Sequence, residues 1–196
     1  MRNAQALMLV LSASASLSIC SEPTTTRHFT SPDGTFQLTI PTSYGVFTGG
    51  QKPAQFYIPI CHNYSVVCIT LPTARYEGTT FGAASLEVTL IPAQNRHACL
   101  NTDPALFKPD VKHPQRMING TRFLHAITGG AAMSHDINSD LYRGYINGTC
   151  YQLALQIAFS AFQVYDLGSI KEFTAEDEQH VRSQLERILD SFRPLN

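Results

Sequence analysis

Four cysteines stand in the body of this chain, Cys61, Cys68, Cys99 and Cys150, and a fifth, Cys20, ends an apolar N-terminal stretch. Four thiols behind an export-like segment read as two disulfides, and therefore as a chain that matures in an oxidising compartment. Four cysteines allow three connectivities; proximity favours Cys61–Cys68 and Cys99–Cys150. Cys61 and Cys68 lie on consecutive strand candidates, and the loop His62–Val67 between them sets them face to face across a ladder. Chain entropy gives about 2 kcal/mol for the short loop and about 4 kcal/mol for the long one. The rival reading is a metal site that adds His62 and His97 to the four thiols. The Cys-x6-Cys spacing matches no common zinc knuckle, and there is no Cys-x-x-Cys redox motif. No metal is therefore expected.

The N-terminus carries one basic residue, Arg2, then an unbroken apolar run from Ala6 to Leu11, then alternating Ser and Ala. That order is a secretory signal pattern, and the segment is too short and too rich in serine to be a spanning helix. Residues 1–19 are expected to be a signal peptide, cut near Ala15 or before Cys20. Ala13-Ser14-Ala15 fits the first site. Leu17-Ser18-Ile19-Cys20 resembles the lipobox of bacterial lipoproteins, which implies lipidation of Cys20, although Ile19 stands where that pattern has a small residue. Residues 20–27 read as a polar tether, and 28–196 as one α+β domain. Loss of Arg2 takes Lys+Arg from 14 to 13 against 15 acidic groups, a net charge of −2. Without a basic patch the chain lacks the electrostatic footprint of a nucleic-acid binder.

The body reads as mostly strand. Ser31-Pro32-Asp33-Gly34 is a turn, and Phe36, Leu38 and Ile40 alternate with polar neighbours behind it. Residues 42–54, with three glycines and Pro53, read as loop. Phe56–Ile60, Val66–Leu71 and Ala84–Ile91 are strand candidates, and 92–112 is a proline-rich excursion pinned by Cys99. Asn119-Gly120 and Asn147-Gly148 are two-residue hairpin signals, because both central positions of that turn need positive φ. The second leads into a strand with Tyr151, Leu153, Leu155, Ile157 and Phe159 on one face. The chain closes with a helix: Thr174 as N-cap, Glu176, Asp177 and Glu178 at its positive end, and an apolar stripe of Val181, Leu185, Ile188, Leu189 and Phe192.

The opening Ser31-Pro32-Asp33-Gly34-x-Phe36-x-Leu38-x-Ile40-Pro41 and the closing Val181-x-x-x-Leu185-x-x-Ile188-Leu189-x-Ser191-Phe192 resemble the two ends of PsbP-like domains. The resemblance covers those ends and not the cysteine-bearing middle. It implies a small α/β sandwich on a curved antiparallel sheet, with the C-terminal helix packed on one face. It also implies an accessory or binding role more than catalysis.

Residues that could carry chemistry are few. His135-Asp136 follows Gly129-Gly130-Ala131-Ala132-Met133, a stretch that could cradle a ligand or simply be a polar loop with a glycine bend. Adjacent strand residues point to opposite faces, and no Gly-x-Ser-x-Gly elbow supplies a nucleophile. His28, His62, His97, His113, His125 and His180 show no ligand spacing, and Asp103 and Asp110 are too few for a calcium loop. No phosphate loop or dinucleotide fingerprint calls for a cofactor. Tyr57, Tyr64 and Tyr76, near Phe47, Phe56 and Phe81, are either binding contacts or ordinary strand residues. Asn63, Asn119 and Asn147 head sequons, which matter only in a eukaryotic secretory pathway.

The expectation is an exported, non-enzymatic binding or accessory protein of the bacterial cell envelope, in the periplasm, at the outer-membrane surface or outside the cell. Its partner would be an envelope protein or a small molecule. It would touch membrane only through a lipid at Cys20. The alternative is a hydrolase acting through His135.

Overall fold

The computed structural model describes residues 25–51, 53, 60–101, 106–107 and 113–195. In chain order these form β1 (Thr26–Thr30), β2 (Phe36–Pro41), β3 (Gly45–Thr48), β4 (Val67–Thr70), β5 (Phe81–Ile91), α1 (Arg96–Asn101), β6 (Gln115–Ile118), β7 (Thr121–Ala132), β8 (His135–Ile146), β9 (Thr149–Ser160), α2 (Ala175–Leu189) and β10 (Arg193–Pro194). A seven-stranded sheet runs β3-β4-β5-β9-β8-β7-β6, and a three-stranded sheet runs β1-β2-β10. Every ladder between these strands is antiparallel. The fold is α+β. The edges of the large sheet, β3 and β6, are only four residues each, which limits the unpaired backbone offered to other chains.

Both Asn-Gly pairs make the expected turns, with φ of 45° and 78° at Asn119-Gly120 and 49° and 82° at Asn147-Gly148. α2 starts with a reciprocal cap: the Asp177 amide donates to Thr174 Oγ1 (3.2 Å), and the Thr174 amide donates to the Asp177 carboxylate (3.0 Å). Val181, Leu185, Ile188 and Leu189 are buried along one stripe, with Phe192 just past the helix end. They meet Phe36, Leu38 and Ile40 of β2 and Leu86, Val88, Leu153, Leu155 and Ile157 of the large sheet in one core. Each such side chain contributes about 1.5–3 kcal/mol by leaving water. α2 and the small sheet thus cover one face of the large sheet.

The opposite face is covered too, by the segments that the disulfides pin. Cys61–Cys68 and Cys99–Cys150 are both formed, with Cα separations of 5.7 and 5.6 Å. Cys68 and Cys150 sit on that face, at the registers Cys68↔Glu87 and Ile91↔Cys150. Cys61 is not on a strand, so its bond staples an overlying segment to β4 and does not cross a ladder between two consecutive strands.

Several sequence expectations need correction. The tether ends earlier than residue 27, because Thr26 and Arg27 pair with Pro41 and Ile40 in β1. The glycine-rich stretch 42–54 contains β3. There Gly45 marks a close approach, since a Cβ on it would lie 2.5 Å from Thr70 Oγ1, while Gly49 and Gly50 make the turn at φ 61° and 77°. Gly129 to Ala132 is neither a bend nor a loop but the end of β7, and Met133-Ser134 closes the hairpin at φ 51° and 66°. The excursion holds α1. The strand candidate at 56–60, apart from Ile60, lies outside the described residues, as do residues 1–24 with Cys20.

Candidate functional site

A cleft of about 720 Å3 opens on the helix side, where the small sheet, the chain after β4 and α2 meet. Each wall follows from local sequence. β2 stops at Pro41, and the Tyr44 amide donates to Pro41 O (3.1 Å), which turns Ser43 and Tyr44 into the cleft. Leu71-Pro72 ends the strand pairing of β4, and a single 3-10 turn, Ala74–Tyr76, presents Arg75 and Tyr76. Gln184, Arg187, Ile188 and Ser191 recur at three- and four-residue intervals, the flank of α2 beside its buried stripe. Thr26 at the start of the described chain also lines the cleft.

The floor is apolar, with Leu71, Pro72, Ile188 and the tyrosine rings. Tyr44 Oη donates to Gln184 Oε1 at 2.8 Å, and Arg27 Nη2 donates to the Tyr44 carbonyl at 3.1 Å. Burial pushes the Tyr44 phenol up to about 12; Arg187 nearby pulls it down and the neighbouring Tyr76 pushes it further up. Tyr76 is 4% exposed, packed on Phe81 and Phe173, and its buried hydroxyl has no hydrogen-bond partner among the described residues. Arg75 Nη1 lies 3.0 Å from His180 Nε2. Arg187 is exposed and has no ion-pair partner among the described residues. Among the described lining residues there are two arginines and no carboxylate. Such a site can hold a ligand by an apolar floor and a few converging polar groups.

Two further polar clusters are structural neighbours of the sheet. Glu87 is 2% exposed on the disulfide-covered face; its carboxylate accepts from the His62 amide, from Ser65 Oγ (2.8 Å) and lies 2.7 Å from His62 Nδ1. Ser85 Oγ donates to the Ile60 carbonyl (2.9 Å), so the segment held by Cys61–Cys68 lies over both Ser85 and Glu87 and buries them. Cys61, Cys68 and Glu87 are close enough to share an ion, but the two sulfurs are bonded to each other. On the helix side, Asp140 pairs with Arg182 and lies 2.8 Å from His125 Nε2, and His125 stacks on Tyr142 at 4.7 Å. Arg116 lies over the same ring and pairs with Glu186 and Asp190, which holds its guanidinium in the charged form.

His135 and Asp136 point to opposite faces: His135 pairs in register with Ser160, Asp136 with Phe159. His135 Nδ1 lies 2.9 Å from Ser160 Oγ. The cleft is lined by other residues. His97 lies 3.1 Å from Asn101 Nδ2 on α1, away from His62. Of the aromatic group, Tyr76 joins the cleft, Phe81 packs on the core, Phe47 packs under the Cys61–Cys68 bond, and Tyr64 is 61% exposed and stacks on His62. Tyr57, Phe56, Asp103 and Asp110 lie outside the described residues. Arg75 and Arg187 escaped the sequence reading, since they are 112 positions apart; the signal available was the polar spacing of Gln184, Arg187 and Ser191 along the flank of the helix.

No family model matches the chain, and no curated protein matches it. Solved structures of similar outline include a protein from Bacteroides thetaiotaomicron VPI-5482, with a TM-score of 0.46 and 9% identity over 86% of this chain and 48% of that one. This chain therefore spans about half the length of that protein. Cyanobacterial PsbP from Synechocystis sp. PCC 6803 follows, with a TM-score of 0.43 and 10% identity over 91% of this chain and 99% of that one. LpqN of Mycobacterium tuberculosis, described as involved in cell envelope biogenesis, gives 0.46 and 8% over 88% and 91%. A solved PsbP thus stands among the similar folds, as the two chain ends suggested, and the likeness is one of fold alone.

Proposed function

We propose that this chain is an exported, non-enzymatic binding or accessory protein of the bacterial cell envelope, and that the cleft between α2, Tyr44 and Arg75 is where it binds. The observation that carries this reading is the cleft itself: an apolar floor, a polar rim and a buried Tyr76 hydroxyl with no partner among the described residues. A buried hydroxyl left unpaired costs about 1–3 kcal/mol, which a bound acceptor would recover. The leader at 1–19 and the two disulfides support export; a lipid at Cys20, or release near Ala15, would set how the protein is held. The hydrolase alternative rests on His135 and Ser160 at 2.9 Å, but Asp136 faces away from that pair.

The test is native mass spectrometry of protein exported by its own host, beside a Ser43→Trp variant that fills the cleft from its exposed rim. A bound mass on the wild type, lost in the variant, is the expected result. Bare protein in both, with a phenotype that His135→Ala abolishes, would overturn the binding reading in favour of the hydrolase.

A further inference from the structure

The cleft has a charge signature that narrows its ligand. Two arginines, Arg75 and Arg187, approach it from opposite walls, one on the 3-10 turn and one on α2, and no described lining residue is acidic. Arginines at a cleft are ordinarily balanced by carboxylates. Here the carboxylate felt by Arg75 is Asp177, which caps Thr174 through its Oδ2 and does not line the cleft. Glu186 and Asp190, the acids flanking Arg187 on the helix, pair with Arg116 instead. The hydroxyl of Tyr76 adds a buried donor without an acceptor among the described residues, near enough to the Tyr44 phenol to raise its pKa. Arg75, Arg187 and Tyr76 thus line one cleft with Leu71, Pro72 and Ile188.

From the lining that Arg75, Arg187 and Tyr76 share over an apolar floor, with no carboxylate among the described lining residues, we infer that the cleft binds an amphipathic organic anion, its phosphate or carboxylate between the arginines and its apolar part on the floor. Guanidinium groups suit such oxyanions because their planar forks can donate two parallel bonds. This inference rests on the reading of the cleft as the binding site, and goes beyond it in naming the ligand class.

Calorimetric titration of the full disulfide-bonded protein tests it with four probes: octyl phosphate, inorganic phosphate, octyltrimethylammonium and octyl glucoside. Octyl phosphate should bind at least tenfold tighter than the other three, more weakly as salt is raised. Arg75→Gln with Arg187→Gln should weaken it at least tenfold. Both side chains lie outside the core, so the fold should survive. Tyr76→Phe should weaken octyl phosphate severalfold while raising the melting temperature of the free protein, a pair of signs that a purely structural hydroxyl would not give. Equal binding of the cationic or neutral amphiphile, abolished by Ser43→Trp, would overturn the anion assignment and leave the cleft as the binding site. Inorganic phosphate binding as tightly as octyl phosphate would overturn the amphipathic part. No binding by any probe, with bare protein in native mass spectra, would overturn both this inference and the reading beneath it.

Discussion

On the helix side of the large sheet, β5 and β9 present Leu86, Val88, Leu153, Leu155 and Ile157, all fully buried under α2 and β2. On the other side the same strands present Ser85, Glu87, Thr89, Gln152 and Gln156, with Ala83, Ala154 and Ala158 between them. That face is also largely buried, and its apolar contacts among the described residues are two small clusters, one under Cys61–Cys68 and one around Phe107. Arg143, 3% exposed, lies over the Phe107 ring at 4.5 Å and donates to Gln152. One face is held by hydrophobic packing, which needs no crosslink. Among the described residues, the other is held by its two crosslinks and by hydrogen bonds such as those of Glu87 and Ser85. Both staples are on the more polar face.

The sharpest way to break this contrast is to cut the longer staple. Cys99→Ala with Cys150→Ala should cost about 4 kcal/mol by chain entropy, measured by urea unfolding. Hydrogen exchange should then rise first in α1, while α2 keeps its protection. Leu153→Ala, on the packed face, should cost about 3 kcal/mol by leaving a cavity, and should leave the pinned segments unaffected until global unfolding. Glu87→Gln should cost about 2 kcal/mol, since it weakens charge-assisted bonds to the His62 amide and Ser65 in a site closed to water. If Glu87→Gln were neutral, the polar face would be held by its disulfides alone.

The smallest expected effect concerns pH. Burial lowers the His125 pKa below its ordinary 6.5, with Arg116 and Arg182 adding to the fall and Glu186 opposing it. Asp140 at 2.8 Å favours the imidazolium, but its other oxygen already serves Arg182. A depressed imidazole means that the unfolded chain takes up a proton which the folded one refuses. Stability should therefore fall as pH drops through 6.5, and His125→Gln should flatten that slope. The changes lie at the helix-side network, so the disulfide-covered face should show no matching change in exchange.

Period-two alternation was enough to find β2, β5 and β9, and the Asn-Gly pairs found two of the three two-residue hairpin turns among the described residues. The helix was legible because its cap and stripe agree. The third hairpin was hidden, since Met133-Ser134 adopts positive φ without the residues that favour it, and the glycines before it pointed to a bend. β1 and β3 escaped because five and four residues carry too little period, and Gly45 is there for room, not for a turn. Polar residues on a strand read as solvent-facing. Nothing local to β5 says that a distant segment covers Glu87. The cleft was illegible for the same reason: its arginines and tyrosines come from three separated stretches that only tertiary packing brings together.

The pairing of the cysteines also sets an order of events. Each one bonds the next along the chain, Cys61 with Cys68 and Cys99 with Cys150, with no nesting or crossing. In a chain threaded through a membrane N-terminus first, the first thiol of each pair finds its partner in the next to emerge. Oxidation in order of arrival then yields the native connectivity without reshuffling. Only Cys20 disturbs this sequence, because it arrives before Cys61 and would claim it. Capping that thiol with the lipid proposed above would do more than decide where the protein is held: it would keep the oxidation in step.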